Sequence, residues 1–267
     1  MKRQALLVGI NDYKSIDGLM GCINDVTNVR NVIKTFFGYS NSEIRVLTDG
    51  RATKSNILTR LEKMVETARK GDHIIFHFSG HGSQIRDRDN DELTDHLDEL
   101  ICPWDMNWDD GFITDDMLRH ILDRLLPGVK MEIILDSCHS GTGTRELLGE
   151  DFRNRFLRPP VDIECRFQGE EEKLKPTRSF RGDPVIQMNH VLWAACKDNQ
   201  TSADAYIDGR YNGAFTYYFC KHIRENKGAI LREDLHARVN ESLTHHSFSQ
   251  TSQLECNSGL KEGKIFS

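Results

Sequence analysis

The sequence has no run of 18 apolar residues, so no segment is long enough to cross a bilayer as a helix. It also lacks an apolar leader. Met1-Lys2-Arg3-Gln4 passes straight into a strand-like pattern, so a cytoplasmic location is expected. The seven cysteines, at 22, 102, 138, 165, 196, 220 and 256, are odd in number and include no CxxC pair. That pattern argues against a zinc ribbon and a complete disulfide framework, and favours reduced thiols. Positive charge is not in excess. A net charge of −6 disfavours nucleic acid as the main partner. There is no internal repeat and no low-complexity tract.

What is present suits one large α/β domain: 267 residues, 38% of them hydrophobic, can bury a substantial core. Short apolar runs without alternation mark buried parallel strands. Four such runs are Ala5–Ile10, Asp72–Phe78, Met131–Leu135 and His190–Cys196, with a shorter one at Ile44–Leu47. Between them lie helical patterns. One has Val26, Val29, Val32, Ile33, Phe36 and Phe37 on one face; the next has Ile57, Leu58, Leu61, Met64 and Val65, with Thr53 as its cap. Further helices are expected near Thr114–Leu126, Ala214–Ile223 and Arg232–Leu243, and a closing edge strand at Ser252–Cys256. Strand and helix in alternation make a doubly wound sheet.

Two of these strands end in chemistry. One runs into Asp136-Ser137-Cys138-His139-Ser140-Gly141, the other into Ser79-Gly80-His81-Gly82-Ser83. Ligand crevices in such sheets open at the carboxyl ends of strands. If the two strands are neighbours, Cys138 and His81 meet as a nucleophile and its base. A buried thiol and a hydrogen-bonded loop histidine are the ordinary states of these residue types. Their strand-end positions set these two apart, and Gly80 and Gly82 allow backbone to approach a ligand closely. His139 would point away from a cleft that Cys138 faces and receives no role.

Two other stretches stand out by charge. Residues 86–116 are acidic, and Asp87, Asp89 and Asp91 resemble half of an EF-hand loop. They lack its glycine and closing glutamate, so they read as a solvated hairpin tip. Residues 145–186 place Arg153, Arg155, Arg158, Arg166, Lys173, Lys175, Arg178 and Arg181 among Pro159, Pro160 and Pro176, the composition of an exposed linker.

Together these segments resemble the metacaspases. The family pattern places a histidine in S-G-H-G and a cysteine in D-x-C-H-S-G, here Ser79–Gly82 and Asp136–Gly141. Val8–Asn11, Gly21–Val26, Asp98–Leu100, Ile113–Asp116 and Asp198–Asp204 match as well, in the family's order along nearly the whole chain. The resemblance implies a caspase-like three-layer α/β/α sandwich around a mostly parallel sheet. Residues 1–144 would be a large-subunit-like half, 145–186 the linker and 187–267 a small-subunit-like half of the same domain. The type is the short-linker or prokaryotic one without a prodomain.

The implied activity is that of a cysteine endopeptidase with His81 and Cys138 as its dyad. The backbone N–H groups of Cys138 and Gly82 would form the oxyanion hole. The positions matching the family's acidic pocket are Cys22, Asp25, Ser79 and Asp136, which suit arginine or lysine before the cut. No organic cofactor is expected. In calcium-dependent members the matching ligands are Asp98, Asp115 and Asp116, but Arg145 stands where the family often has a further aspartate. Self-cleavage is expected within 145–186. Arg158 and Lys175 precede prolines, and Arg178 and Arg181 lie nearest the return to ordered structure. Expected partners are protein or peptide substrates, with neither nucleic acid nor membrane, acted on by a monomer. The rival readings are a catalytically silent caspase-like scaffold and a calcium-responsive regulator.

Overall fold

In the computed structural model, which describes residues 1–86, 97–139, 152–163, 190–197 and 200–267, the apolar runs become the central strands. The first half holds β1 (Arg3–Gly9), β2 (Ile44–Thr48), β3 (His73–Ser79), β4 (Gly82–Arg86), β5 (Leu97–Ile101), β6 (Ile113–Thr114) and β7 (Lys130–Asp136). The second holds β8 (Phe152–Asn154), β9 (Val191–Ala194), β10 (Ala203–Ile207), β11 (Arg210–Gly213) and β12 (Gln253–Glu255). The helices are α1 (Cys22–Phe37), α2 (Lys54–Thr67), α3 (Asp115–Leu122), α4 (Ala214–Glu225), α5 (Arg232–His245) and the short α6 (Ser258–Lys261). A six-stranded sheet runs in the order β12-β9-β7-β3-β1-β2. Five strands are parallel, and β12 pairs antiparallel with β9 at the edge.

Alternate residues of one strand enter opposite layers. On β1, Leu6 and Val8 join the cluster packed under α2 and α3, while Ala5 and Leu7 join the one under α1, α4 and α5. Ile133 and Leu135 of β7 divide from Ile134 in the same way. Both faces are covered, which is why these strands are hydrophobic on successive residues. The fold is the caspase-like α/β sandwich. Helix starts follow local chemistry: Thr53 accepts the Asn56 N–H at 3.2 Å, and Thr114 accepts the Met117 N–H at 3.2 Å.

Two features escape a pattern reading. The hairpin of β10 and β11, with β8 alongside β10, makes a second small sheet. Buried Glu132, in the middle of β7, accepts from Arg232 (2.7 Å), Trp193 (3.0 Å) and the Phe266 backbone (2.6 Å). It ties the C-terminal half to the sheet. The 145–186 stretch also needs correcting. Residues 152–163 are described, they include β8, and Arg155 is 0% exposed rather than part of an exposed linker. Its charge is met by carboxylates, as shown below. Asp87, Asp89, Asp91, Arg145, Arg178 and Arg181 lie outside the described residues.

His77 sits inside β3 with neither ring nitrogen hydrogen-bonded, and burial pushes its pKa from 6.5 down to about 3. Burial likewise takes His73 and His190 to about 4. All three are neutral in the fold but would bind a proton in the unfolded chain near 6.5. Their contribution is therefore complete above pH 6.5 and is lost as pH falls toward 4. Calorimetric melting temperatures should drop through that window, and His77→Leu should flatten the drop. An identical pH slope in the variant would reject this account.

Candidate active site

β3 and β7 are adjacent and parallel, in a register that pairs Ser79 with Asp136. His81 and Cys138 each stand two residues beyond that pair, so both loops leave the sheet at the same level. Gly82 lies against the Cys138 backbone: a Cβ there would come within 2.2 Å of the Cys138 carbonyl oxygen. Only glycine allows that approach.

His81 is held from two sides. Its N–H donates to the Tyr13 hydroxyl at 2.8 Å, and its Nε2 lies 3.0 Å from the Asp17 carbonyl. A carbonyl can only accept, so Nε2 carries the hydrogen and Nδ1 keeps its lone pair. Nδ1 is buried without a hydrogen bond among the described residues. Burial lowers the His81 pKa, which favours the neutral ring. Cys138 is also buried. Ser202 N–H donates to its sulfur, and Sγ lies 3.4 Å from the Ser202 carbonyl. Burial, with Cys196 alongside, pushes the thiol well above its usual range. With the site closed over, both groups are neutral.

The predicted pocket positions come together. Cys22, Asp25, Ser79 and Asp136 are all fully buried beneath the two loops. A third carboxylate, Asp204 of β10, joins them, and the guanidinium of Arg155 occupies the centre. Its Nη2 lies 2.7 Å from Asp25 and 3.0 Å from Asp204, and its Nη1 3.0 Å from Asp136. Nη1 also donates to Ser79 Oγ at 2.9 Å and to the Asp136 carbonyl at 3.0 Å. Such charge-assisted bonds are the strong ones.

Each carboxylate has donors of its own. Asp136 accepts from Thr216 N–H (3.0 Å), Thr216 Oγ1 (2.6 Å) and Ser202 Oγ (2.7 Å). Asp204 accepts from the Met20 and Gly21 N–H groups at 2.7 and 2.9 Å. Asp25 accepts from Gly213 N–H and Ser79 Oγ at 2.9 and 2.7 Å. Three carboxyls face one fixed cation. Burial raises the Asp25 pKa to about 7, although Arg155 pulls it back down.

The backbone around Arg155 is held as well. β8 pairs antiparallel with β10, Asn154 opposite Ala203 and Arg153 opposite Asp204. Arg155 N–H donates to the Ser202 carbonyl at 3.2 Å, and the Gly82 N–H donates to the Arg155 carbonyl at 2.9 Å.

The remaining predicted residues lie apart from this cluster. Asp98 is buried on β5, while Asp115 and Asp116 open α3, with Asp116 ion-paired to Arg119. Among the described residues no three His, Cys, Asp or Glu side chains gather closely enough to hold a metal. His139 turns from the pocket, its Nδ1 3.4 Å from the Ser83 carbonyl and its Nε2 3.8 Å from Glu99. Asp204, Ser202 and Arg155 were missing from the predicted site. The match at Asp198–Asp204 was the available signal for the first two. For Arg155 only its place in a basic stretch hinted.

This fold and site define a caspase-like cysteine peptidase, and comparison with known proteins agrees. The family described as metacaspase, peptidase C14 domain, matches residues 3–145. Metacaspase-1 of Ajellomyces capsulatus is 32% identical over 300 residues, covering 99% of this chain and 82% of that protein. Metacaspase-1A of Aspergillus terreus is 32% identical over 302 residues, covering 99% and 73%. Among solved structures, protein GSU0716 of Geobacter sulfurreducens superposes with a TM-score of 0.71 at 24% identity, covering 100% of this chain and 99% of that one. Caspase-1 of Spodoptera frugiperda gives 0.62 at 12% identity, covering 96% and 86%. The chain belongs to the metacaspase family and is a cysteine-type endopeptidase.

Removing the cation should expose the cost of three unpaired buried carboxyls. In a Cys138→Ala background, Arg155→Gln should lose about 3–5 kcal/mol of stability. Added arginine amide should raise the melting temperature of that variant, because a ligand that binds only the folded state stabilises it, and leave the parent unmoved. Equal melting of variant and parent without ligand would contradict the assignment.

Proposed function

We propose that this metacaspase-family endopeptidase cuts peptide chains after arginine or lysine, with Cys138 as nucleophile and His81 as base. The observation that supports it best is the way the chain grips its own arginine. The guanidinium lies among Asp25, Asp136 and Asp204 while the carbonyl of the same residue accepts the Gly82 N–H. Side chain and reacting carbonyl are thus both addressed, as a protease must address the residue before the cut. Both terminal nitrogens of Arg155 are used, which favours the forked guanidinium over the single ammonium of lysine. A pocket of three carboxyls repels aspartate there.

The mechanism follows from the protonation states. His81 Nδ1 takes the Cys138 proton as Sγ attacks the substrate carbonyl carbon. The oxygen that becomes negative faces the Gly82 and Cys138 N–H groups, each such donor contributing roughly 3–4 kcal/mol. His81 then passes the proton to the leaving amine, and water hydrolyses the thioester.

No helix among the described residues is long and apolar enough to cross a membrane. Action as a monomer in the cytoplasm, without a nucleic-acid partner, is part of the same reading. Calcium activation through Asp98, Asp115 and Asp116 rests on the family resemblance alone, and self-processing completes the proposal.

Cys138→Ala and His81→Ala should each lower turnover of arginine-ended fluorogenic peptides by about 10⁴-fold or more, with little change in melting. Asp25→Ala should cost about 10²-fold or more on the same peptides. Faster cleavage after aspartate than after arginine by the unmodified enzyme would refute the specificity. Full retention of turnover by Cys138→Ala would refute the dyad and favour a silent scaffold. For calcium, the expected result is heat of binding that Asp98→Asn removes. Full activity in chelator, with no binding at millimolar concentration, would eliminate it.

A further inference from the structure

A cavity opens at the other edge of the central sheet, where its strands begin. Arg3 of β1, His73 of β3 and Lys130 of β7 stand side by side there in register. Strand alternation sends all three to the face of Ala5, Ile75 and Ile134, under α1 and α4. With Phe36 and Phe37 from the end of α1, and with Phe266, they line a cavity of about 500 Å³. Lys130 and Asp136 are the two ends of β7, so this cavity lies about 20 Å from the cleft. We propose that it is a ligand site for a small phosphate monoester with an aromatic body, the phosphate being held by Arg3, His73 and Lys130. Cys138 and His81 take no part in it.

As structure alone, such a row is unfavourable. Like charges opposed on neighbouring strands destabilise a sheet. His73, between the two cations, is only 4% exposed, and its Nε2 has no hydrogen-bond partner among the described residues. Buried polar atoms are seldom left in that state. Burial, reinforced by the charges of Lys130, Arg232 and Arg3, keeps the ring neutral with a pKa of about 4.

The carboxylates nearby are engaged elsewhere. Asp72 accepts the Lys2 and Arg69 N–H groups at 2.6 and 3.0 Å. Glu43 accepts from the Ser40 N–H and Oγ at 2.7 and 2.8 Å, and Arg3 acts on it more weakly than Ser40 does. Glu132 is taken by Arg232. Arg3 itself uses one nitrogen on the Gly38 carbonyl, at 3.4 Å, which leaves most of its donors free. The cavity therefore has donors and positive charge on one side without an anion to match.

The choice of ligand follows from counting. A phosphate monoester carries nearly two negative charges at neutral pH and three acceptor oxygens. Two fixed cations, Arg3 and Lys130, match the charge, and the single N–H of a neutral His73 supplies a third donor. A carboxylate has half the charge and leaves one cation unmatched. The remaining walls are aromatic. Phe37 and Phe266 meet edge to face at 4.9 Å, and the Phe266 N–H is anchored on Glu132. An aromatic body stacks or packs edge-on against such rings, and the volume suits a small molecule.

The test uses full-length Cys138→Ala protein, melted and titrated by calorimetry with phenyl phosphate, inorganic phosphate, benzoate and phenol. Phenyl phosphate should raise the melting temperature with concentration, because it binds the folded chain. It should also move the His73 ring resonances in NMR spectra. Inorganic phosphate and benzoate should each bind more weakly, and phenol should leave the protein unchanged. Lys130→Glu, at an exposed position, and Arg3→Gln should each weaken phenyl phosphate about tenfold or more. Lys63→Glu, exposed on α2 across the sheet, should leave its affinity as it was. No binding of phenyl phosphate at millimolar concentration overturns the site. So does an equal loss in Lys63→Glu, which would mean attraction to net charge alone. Benzoate binding as tightly as phenyl phosphate overturns the phosphate assignment, and inorganic phosphate doing so overturns the aromatic one.

Discussion

The interaction on which the site depends is one guanidinium enclosed by three buried carboxyls. Asp25 comes from the first turn of α1, Asp136 from the end of β7 and Asp204 from β10, so the cation joins three separate parts of the chain. Removing such charges from water costs several kcal/mol per ion, and the cost is offset only where every remaining lone pair finds a donor. The backbone N–H groups of Met20, Gly21, Gly213 and Thr216 supply those donors. The pocket is therefore built as an anion cluster independently of what fills it. Filling it with the chain's own arginine satisfies the field without any external ligand.

The placement of Cys138 and His81 follows from a simpler constraint. Parallel neighbours end at the same edge, and a register of Ser79 against Asp136 sets the two loops level. Small residues do the rest. Gly82 must lack a side chain to reach the Cys138 backbone, and its N–H donates to the Arg155 carbonyl. Tyr13 and the Asp17 carbonyl, both from the loop after β1, fix the histidine and its tautomer. The loop after β1 thus holds the histidine that follows β3.

The central sheet was legible because both its faces are buried, which gives β1, β3, β7 and β9 runs of successive hydrophobic residues. The approach of the Cys138 and His81 loops was legible because glycine-containing loops follow two of those runs. Pairing of β3 with β7 was a condition of the argument, and the register meets it. What escaped detection depends on long-range contacts. Arg155 reads as a linker residue because its neighbours are arginines and prolines, and only the fold reveals three carboxyls waiting 19 to 130 positions away. Glu132 looks like a charge misplaced within a strand until Arg232, 100 residues later, reaches it. The β10–β11 hairpin has no strong apolar alternation; Asp204 is buried and Tyr206, on the same face, is exposed.

Burial also decides which protonation state belongs to the closed molecule. With Arg155 in place, desolvation holds both the thiol and the imidazole neutral. A charged thiolate–imidazolium pair would have to be sustained without water beside it, and the nearest fixed charges are the carboxyls and Arg155. Asp136 disfavours a thiolate, adding to the effect of burial and Cys196. In the proposed mechanism proton transfer must therefore accompany attack rather than precede it, with Nδ1 accepting as sulfur reaches the carbonyl. A substrate that brings its own guanidinium cancels the pocket's negative charge at the same moment. In the proposed mechanism, recognition of arginine and activation of the thiol are one electrostatic event.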